Sequence, residues 1–184
     1  MPRPAAAATA RRSRRRRRSQ TVKAQAERIA AGGYRCLVPD LYKGKLAEDK
    51  EEAAHLMTSL DFQAAVGELG EAAQFLRAEG SPKVGVVGFC MGGALSLAAA
   101  QHAAVDCAAP FYGTPQAGAA TPEGIAAAGV PCLVSVGALD QNKGFSDPAT
   151  MRVYAEKINA AGGTAEFVEY PDCGEYQSNQ QLTN

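Results

Sequence analysis

The strongest chemical feature of the sequence is a cysteine between two glycines, where a predicted strand gives way to a predicted helix. Residues 88–92 read Gly-Phe-Cys-Met-Gly, a pattern typical of a nucleophile presented on a sharp strand-to-helix turn. The spacing predicts a strained backbone at Cys90, with glycines at positions 88 and 92 because a Cβ there would collide with the turn. The alternative is a turn of small residues that carries an incidental cysteine.

A presented thiol needs groups that activate it and that stabilise the charge it creates. The first turn of the following helix favours a thiolate at Cys90, and the backbone N–H of Met91 is placed to donate to an oxyanion. Asp140 closes a predicted strand, where the acid of such a site belongs, although a loop aspartate that caps a turn is the alternative. The two histidines, His55 and His102, both precede Asp140, and we expect ordinary surface residues.

The elements that would position these side chains are short apolar runs alternating with helical patterns. The predicted strands are 34–42, 83–89, 105–113, 131–140 and 165–171. The predicted helices are 21–31, 61–79, 92–103 and 148–161. This alternation predicts an α/β fold with a parallel sheet, whose chemistry lies at the carboxyl ends of the strands. The candidates there are Asp40, Tyr42, Cys90, Tyr112, Gly113 and Asp140.

The charge of the chain is divided unevenly along its length. Residues 1–20 contain eight arginines and no acid, which leaves 11 basic and 19 acidic residues, a net charge of −8, for the rest. An acidic body argues against nucleic-acid binding except through this head. The head is predicted to be disordered and suits an organelle-targeting segment, a nuclear address or nucleic-acid arm, or a leader without function.

The five cysteines are scattered and show no metal-ligand spacing. Cys36, Cys107 and Cys132 lie in apolar runs, where a thiol behaves as a small hydrophobic side chain. This usage predicts free thiols in a reducing compartment, and no metal site.

Several stretches together resemble the dienelactone hydrolase family, also called carboxymethylenebutenolidases. They are "VPDLY", "VGVVGFCMGGALSLAAA", "PFYG", "VSVGALD" and "AEFVEYPDCG". The resemblance implies an α/β-hydrolase fold, with helices on both faces of the sheet, and a Cys-His-Asp triad that opens cyclic enol esters without metal or cofactor. It makes Cys90 the nucleophile and Asp140 the acid. Lys50 matches a substrate-contacting cation weakly, and Tyr112 is a second candidate substrate contact.

The sequence departs from the family pattern at both ends. Where the family has its histidine, the chain has Glu175, and the polar tail 175–184 lacks the family's closing helix. The family's first strands are replaced by the arginine-rich head. The pattern therefore predicts three segments: the head (1–20), an α/β domain incomplete at its edges (21–174) and the tail (175–184), as if the family fold were truncated at both ends.

These observations predict a hydrolase that cleaves a lactone or small ester through Cys90 and is impaired by the lack of a triad histidine. The alternatives are a non-catalytic protein of the same fold, an incomplete gene product, or a protein that binds nucleic acid through its head. We expect a monomer without a membrane span or cofactor. Its expected location is the cytoplasm, or an organelle if the head is a targeting segment.

Overall fold

The computed structural model describes residues 21–174, apart from the side chain of Lys50. These residues fall into two compact units, 21–61 and 62–174. None of the described helices combines the length with the apolar composition that a membrane span requires. The proposed boundaries of the head, domain and tail remain a prediction.

The first unit contains two helices joined by an irregular segment. Helix α1 spans residues 21–31, as predicted. Helix α2, Lys50–Thr58, begins after Asp49, whose side chain accepts a hydrogen bond from the backbone N–H of Glu52 at 2.9 Å. That contact satisfies one of the unpaired N–H groups at the start of the helix.

The predicted strand 34–42 is wrong, because residues 34–40 have no regular secondary structure and residues 41–44 form a turn. The carboxylate of Asp40 accepts from the N–H groups of Tyr42 and Gly44, at 3.3 and 2.7 Å, and so stabilises the turn instead. A strand also requires a hydrogen-bonded neighbour and a covered face. The side chains of Leu37 and Val38 are exposed, so their apolar character does not reflect burial.

The second unit contains a four-stranded parallel sheet in the order β1-β2-β3-β4. Its strands are β1 Gly85–Phe89, β2 Cys107–Phe111, β3 Cys132–Gly137 and β4 Ala165–Tyr170. Its helices are α3 Phe62–Ala78, α4 Met91–His102, α5 Pro122–Ala128 and α6 Pro148–Ala160. The parallel α/β sheet is confirmed, and each of its strands lies within a predicted one. The short helix α5 was not predicted, because seven residues give too little periodicity.

The helices that pack on this sheet share one of its faces. Right-handed crossovers between strands in sequential order place the connecting helices on the same side. Accordingly, Gly88 faces α4, while the guanidinium of Arg152 in α6 lies 4.4 Å from the ring centre of Phe167. The strand registers place Gly88 and Phe167 on the same face. On the opposite face, Val87 and Leu133 are each 41% exposed. We expected helices on both faces of the sheet, but within this unit they cover one face.

The core lies between the sheet and the helices α4, α5 and α6. Its largest fully buried side chains include Leu97, Ile125, Val134, Met151 and Ile158. Helix α4 approaches β2 closely, since a Cβ on Gly93 would lie 2.4 Å from the carbonyl oxygen of Phe111. The glycine therefore allows the helix that follows Cys90 to rest directly on the neighbouring strand.

The amino end of the sheet is held by an ionic cluster around Asp106, the residue before β2. Its carboxylate accepts hydrogen bonds from the backbone N–H of Val84 at 2.7 Å, from Lys83 Nζ at 3.1 Å and from the Arg77 guanidinium. The hydrogen bond from Val84, followed by those charges, holds the pKa of Asp106 below its ordinary value. The cluster joins the end of α3 to the starts of β1 and β2.

Candidate active site

Cys90 occupies the turn between β1 and α4 with a strained backbone. Its φ of 57° lies in a region that non-glycine residues rarely adopt. Hydrogen bonds fix this conformation on both sides. The Cys90 N–H donates to the carbonyl of Phe111 at 3.0 Å, and the Cys90 carbonyl accepts from Gly93 N at 2.8 Å and Ala94 N at 3.2 Å. A strained residue held this firmly is typical of a functional turn.

Two glycines make room for this turn. A Cβ on Gly88 would lie 2.0 Å from the carbonyl oxygen of Gly92, and one on Gly113 would lie 2.2 Å from that of Cys90. The expectation for Gly92 was wrong, because a Cβ there would meet nothing within 4 Å outside its own helix. Gly88 and Gly113 therefore provide the space that the motif was expected to obtain from Gly88 and Gly92.

The thiol of Cys90 stands at the amino end of α4, a helix of 12 residues. Cys90 is the N-cap residue, its side chain makes no capping hydrogen bond, and the residue is half-buried. Met91 is the first residue of the helix. The helix dipole favours negative charge at this position, whether on a thiolate or on an oxyanion.

Asp140 lies three residues beyond the end of β3 and is only 6% exposed. Its Oδ1 accepts from the backbone N–H of Asn142 at 2.9 Å. Its Oδ2 is buried and has no hydrogen-bond partner among the described residues. Since buried carboxylate oxygens are normally paired, this atom is positioned to accept from a further donor.

The segment after β4 packs against the same end of β3. The N–H of Leu139 donates to the carbonyl of Cys173 at 2.9 Å, and a Cβ on Gly137 would lie 2.3 Å from that carbonyl oxygen. The chain therefore reaches Gly174 close to the strand end that leads into Asp140. Glu175, the position at which the family pattern has histidine, lies outside the described residues.

Neither candidate substrate contact is tested by this arrangement. Tyr112 follows β2 with a φ of 38°, is 2% exposed, and has its ring centre 6.4 Å from that of Phe89. Lys50 begins α2 in the first unit, and its side chain is not described. A role for either residue in substrate binding remains a prediction.

Both histidines are exposed, as expected of surface residues. His55 belongs to α2 in the first unit. His102 is the last residue of α4, about 18 Å along the helix from Cys90 at 1.5 Å per residue. Neither donates to the buried Oδ2 of Asp140.

The other thiols differ in part from expectation. Cys36 and Cys107 are exposed rather than packed, because residue 36 lies in the irregular segment and Cys107 lies on the uncovered side of the sheet. Cys132 and Cys173 are buried, and burial raises the pKa of Cys132 to about 11. Among the described residues, no three His, Cys, Asp or Glu side chains are grouped so as to bind a metal ion.

Comparison with protein families shows which family the chain belongs to. The model of the dienelactone hydrolase family matches residues 17–175. The chain belongs to the dienelactone hydrolase family. The resemblance expected from its motifs is therefore confirmed, together with the α/β-hydrolase fold.

The chain is also similar to individual proteins. The chain is 36% identical over 107 residues to Protein usf of Aquifex pyrophilus, covering 52% of this chain and 45% of that protein. It is 30% identical over 103 residues to Carboxymethylenebutenolidase 1 of Cupriavidus pinatubonensis, covering 50% and 44%. The chain thus matches less than half the length of these relatives.

A solved structure shows the same fold. The crystal structure of a "Putative Dienelactone Hydrolase" from Klebsiella pneumoniae superposes with a TM-score of 0.73 at 22% identity. The superposition covers 88% of this chain and 72% of that one.

Proposed function

We propose that the chain is a hydrolase of the dienelactone hydrolase type, which cleaves a lactone or small ester through the thiol of Cys90. The observation that carries the proposal is the backbone of Cys90, strained at a φ of 57° and fixed by hydrogen bonds to Phe111, Gly93 and Ala94. A cysteine that served only packing would not require such a conformation. Family membership supports the same chemistry.

The first step is acyl transfer to sulfur. The Cys90 thiolate attacks the ester carbonyl carbon, a C–S bond forms, and the carbonyl electrons move to oxygen. The Met91 N–H and the dipole of α4 stabilise this oxyanion. When the oxyanion collapses, the C–O bond breaks. The alkoxide of an open-chain ester leaves and takes a proton from water. In a lactone the freed enolate oxygen takes its proton from water but stays attached to the acyl group. In both cases an acyl thioester remains on Cys90.

The second step requires a base that activates water. The described residues offer Asp140 as the acid that orients such a base, because its Oδ2 is buried without a partner. A carboxylate alone is a weak base, and a positioned imidazole contributes typically 10²–10⁴-fold. With glutamate at position 175, we expect acylation of Cys90 to be much faster than the hydrolysis that follows.

The test of the first step is acetyl transfer from p-nitrophenyl acetate. We expect a burst of about one p-nitrophenolate per chain and an acetyl group on Cys90, located by peptide mass mapping. Cys90→Ala should abolish the burst. Cys107→Ala and Cys36→Ala are the matched controls, since each removes an exposed thiol that could react without catalysis. A burst that survives Cys90→Ala would overturn the proposal. Absence of acetylation in folded protein would favour the non-catalytic alternative.

The test of the second step introduces the histidine that the family pattern has at position 175. If Asp140 serves as the acid, Glu175→His should raise the steady-state rate by at least tenfold, and adding Asp140→Asn should reverse the gain. A gain that persists with Asp140→Asn would contradict the role given to Asp140.

The proposed surroundings of the protein follow from its thiols and charge. We propose a monomer in a reducing compartment, the cytoplasm or an organelle. The proposal of a reducing compartment is supported by the five cysteines, none of which forms a disulfide bond. Its substrate is a small ester or lactone. Any binding to nucleic acid would pass through residues 1–20.

A further inference from the structure

We infer that Thr114 is a positioning residue, which ties the turn of Cys90 to the loop of Asp140. The inference rests on the proposed function, since it concerns the geometry between the nucleophile and the acid. Thr114 lies three residues beyond the end of β2, the strand between those that lead to Cys90 and to Asp140. The sequence motifs did not point to this residue.

On the nucleophile side, the residue before Thr114 fits directly against the turn. A Cβ on Gly113 would lie 2.2 Å from the carbonyl oxygen of Cys90 and 3.2 Å from the backbone nitrogen of Ala94. The chain here is also fixed to the sheet, because Tyr112 N donates to the carbonyl of Ser135 at 2.9 Å. The backbone that leads to Thr114 is therefore fixed against the turn of Cys90, so Thr114 is a firm anchor for the acid loop.

On the acid side, Thr114 holds the acid loop, residues 140–147. Both its backbone N–H and its hydroxyl donate to the carbonyl of Phe145, each at 2.9 Å. Phe145 N donates to the carbonyl of Asn142 at 3.3 Å, and Asn142 N donates to Oδ1 of Asp140 at 2.9 Å. A continuous path of hydrogen bonds thus runs from Thr114 to the carboxylate.

The burial of Thr114 strengthens its hydrogen bonds to Phe145. The residue is 6% exposed, so water competes poorly for the hydroxyl or for the carbonyl that accepts from it. Without the hydroxyl, only the N–H of Thr114 holds Phe145. A small displacement of Asp140 would then weaken its hydrogen bond to the imidazole that Glu175→His introduces. Cys90 would keep its own hydrogen bonds.

The activity test uses Thr114→Val, which keeps the shape of the side chain and removes the hydroxyl, with Thr114→Ser as the matched control. In the Glu175→His variant, Thr114→Val should lower the steady-state rate about tenfold and change the acetylation burst less than twofold. Thr114→Ser should retain most of the rate. With Asp140→Asn present, Thr114→Val should have no further effect, because both changes act through the same carboxylate.

Hydrogen exchange, measured in proteins that keep Glu175, separates this inference from the proposed function. Thr114→Val should speed exchange at the amide of Asn142 in the acid loop but not at the amides of Gly93 and Ala94, and Thr114→Ser should leave the acid loop protected. If Glu175→His shows no turnover, the role of Asp140 fails and exchange alone decides whether Thr114 holds the loop. Unchanged exchange, or an equal loss of rate with and without Asp140→Asn, would overturn the inference.

Discussion

At the amino end of the sheet, the carboxylate of Asp106 accepts hydrogen bonds from Val84, Lys83 and Arg77, whereas at the carboxyl end the buried Oδ2 of Asp140 has no partner among the described residues. The hydroxyls of Ser135 and Ser146, also in the second unit, share this lack of a partner. Among the described residues, the carboxylate at the amino end is therefore fully engaged, whereas several buried oxygens toward the carboxyl end have no partner.

Backbone strain alone does not separate the two ends. Cys90 and Tyr112 follow strands at the carboxyl end with positive φ, but Ala104, in the turn before β2, also has a φ of 50°. Ala104 is exposed and carries no reactive group. The carboxyl end is distinguished by the combination of strain, a thiol and buried oxygens that have no partner in the part of the chain that the structure describes. This combination is typical of a site maintained for chemistry rather than for stability.

The largest effect is expected at the turn of Cys90. Gly88→Ala places a Cβ 2.0 Å from the carbonyl oxygen of Gly92, a backbone atom, so the turn must shift. We expect a loss of about 3 kcal/mol in the free energy of unfolding, together with loss of Cys90 acetylation. Urea unfolding and the burst assay measure the two effects.

Gly92→Ala is the matched control in the same motif, because a Cβ there would meet nothing within 4 Å outside its helix. We expect no loss of stability, and a gain of up to about 1 kcal/mol, since alanine is the better helix former. Equal destabilisation by both changes would show that the space around Gly88 does not hold the turn.

The pattern of the sequence was sufficient for the parallel sheet and for the position of Cys90. Continuous apolar runs identified β1 to β4, and a glycine two residues before a cysteine identified the turn, because both features are local in sequence. The place of Asp140 followed from the rule that parallel strands direct chemistry to their carboxyl ends.

Apart from Gly92 and the short helix α5, the errors and omissions concern features that depend on distant contacts. Residues 34–42 have the composition of a strand, but no neighbouring strand pairs with residues 34–40 in the structure. The exposure of Cys107 depends on which side of the sheet the helices cover. The tie at Thr114 depends on Phe145, 31 residues later. Composition and spacing contain no information about such partners.

A smaller effect is expected at the amino end. Asp106→Asn removes the charge that pairs with Arg77 and Lys83 and weakens the bond from Val84, so we expect a loss of about 1–3 kcal/mol. Lys83 contributes little to this loss, because its side chain is 82% exposed. Acetylation of Cys90 should be unchanged, since the cluster lies at the other end of the sheet. A matching loss of acetylation would mean that the two ends are coupled.

The effect of Asp106→Asn should depend on pH with a known sign. The pKa of Asp106 is lowered on folding, first by the bond from Val84, so its contribution is present above the unfolded value of about 4 and is lost as the pH falls further. The stability difference between wild type and Asp106→Asn should be constant from pH 7 to 5 and shrink below pH 4. Asp147, whose pKa is also lowered, is present in both proteins and cancels.

The smallest effect is expected at Ser146, which is fully buried and whose hydroxyl has no partner among the described residues. Ser146→Ala removes an unpaired polar group, which favours folding, and leaves a small void, which opposes it, so the net change should stay within about 0.5 kcal/mol. Ser96→Ala is the control, because the equally buried hydroxyl of Ser96 donates to the carbonyl of Gly92 at 2.8 Å and should cost about 1 kcal/mol. Urea unfolding of the two variants in parallel measures the difference. If Ser146→Ala costs as much as Ser96→Ala, its hydroxyl is paired in solution, and the contrast between the two ends would rest on Asp140 and Ser135 alone.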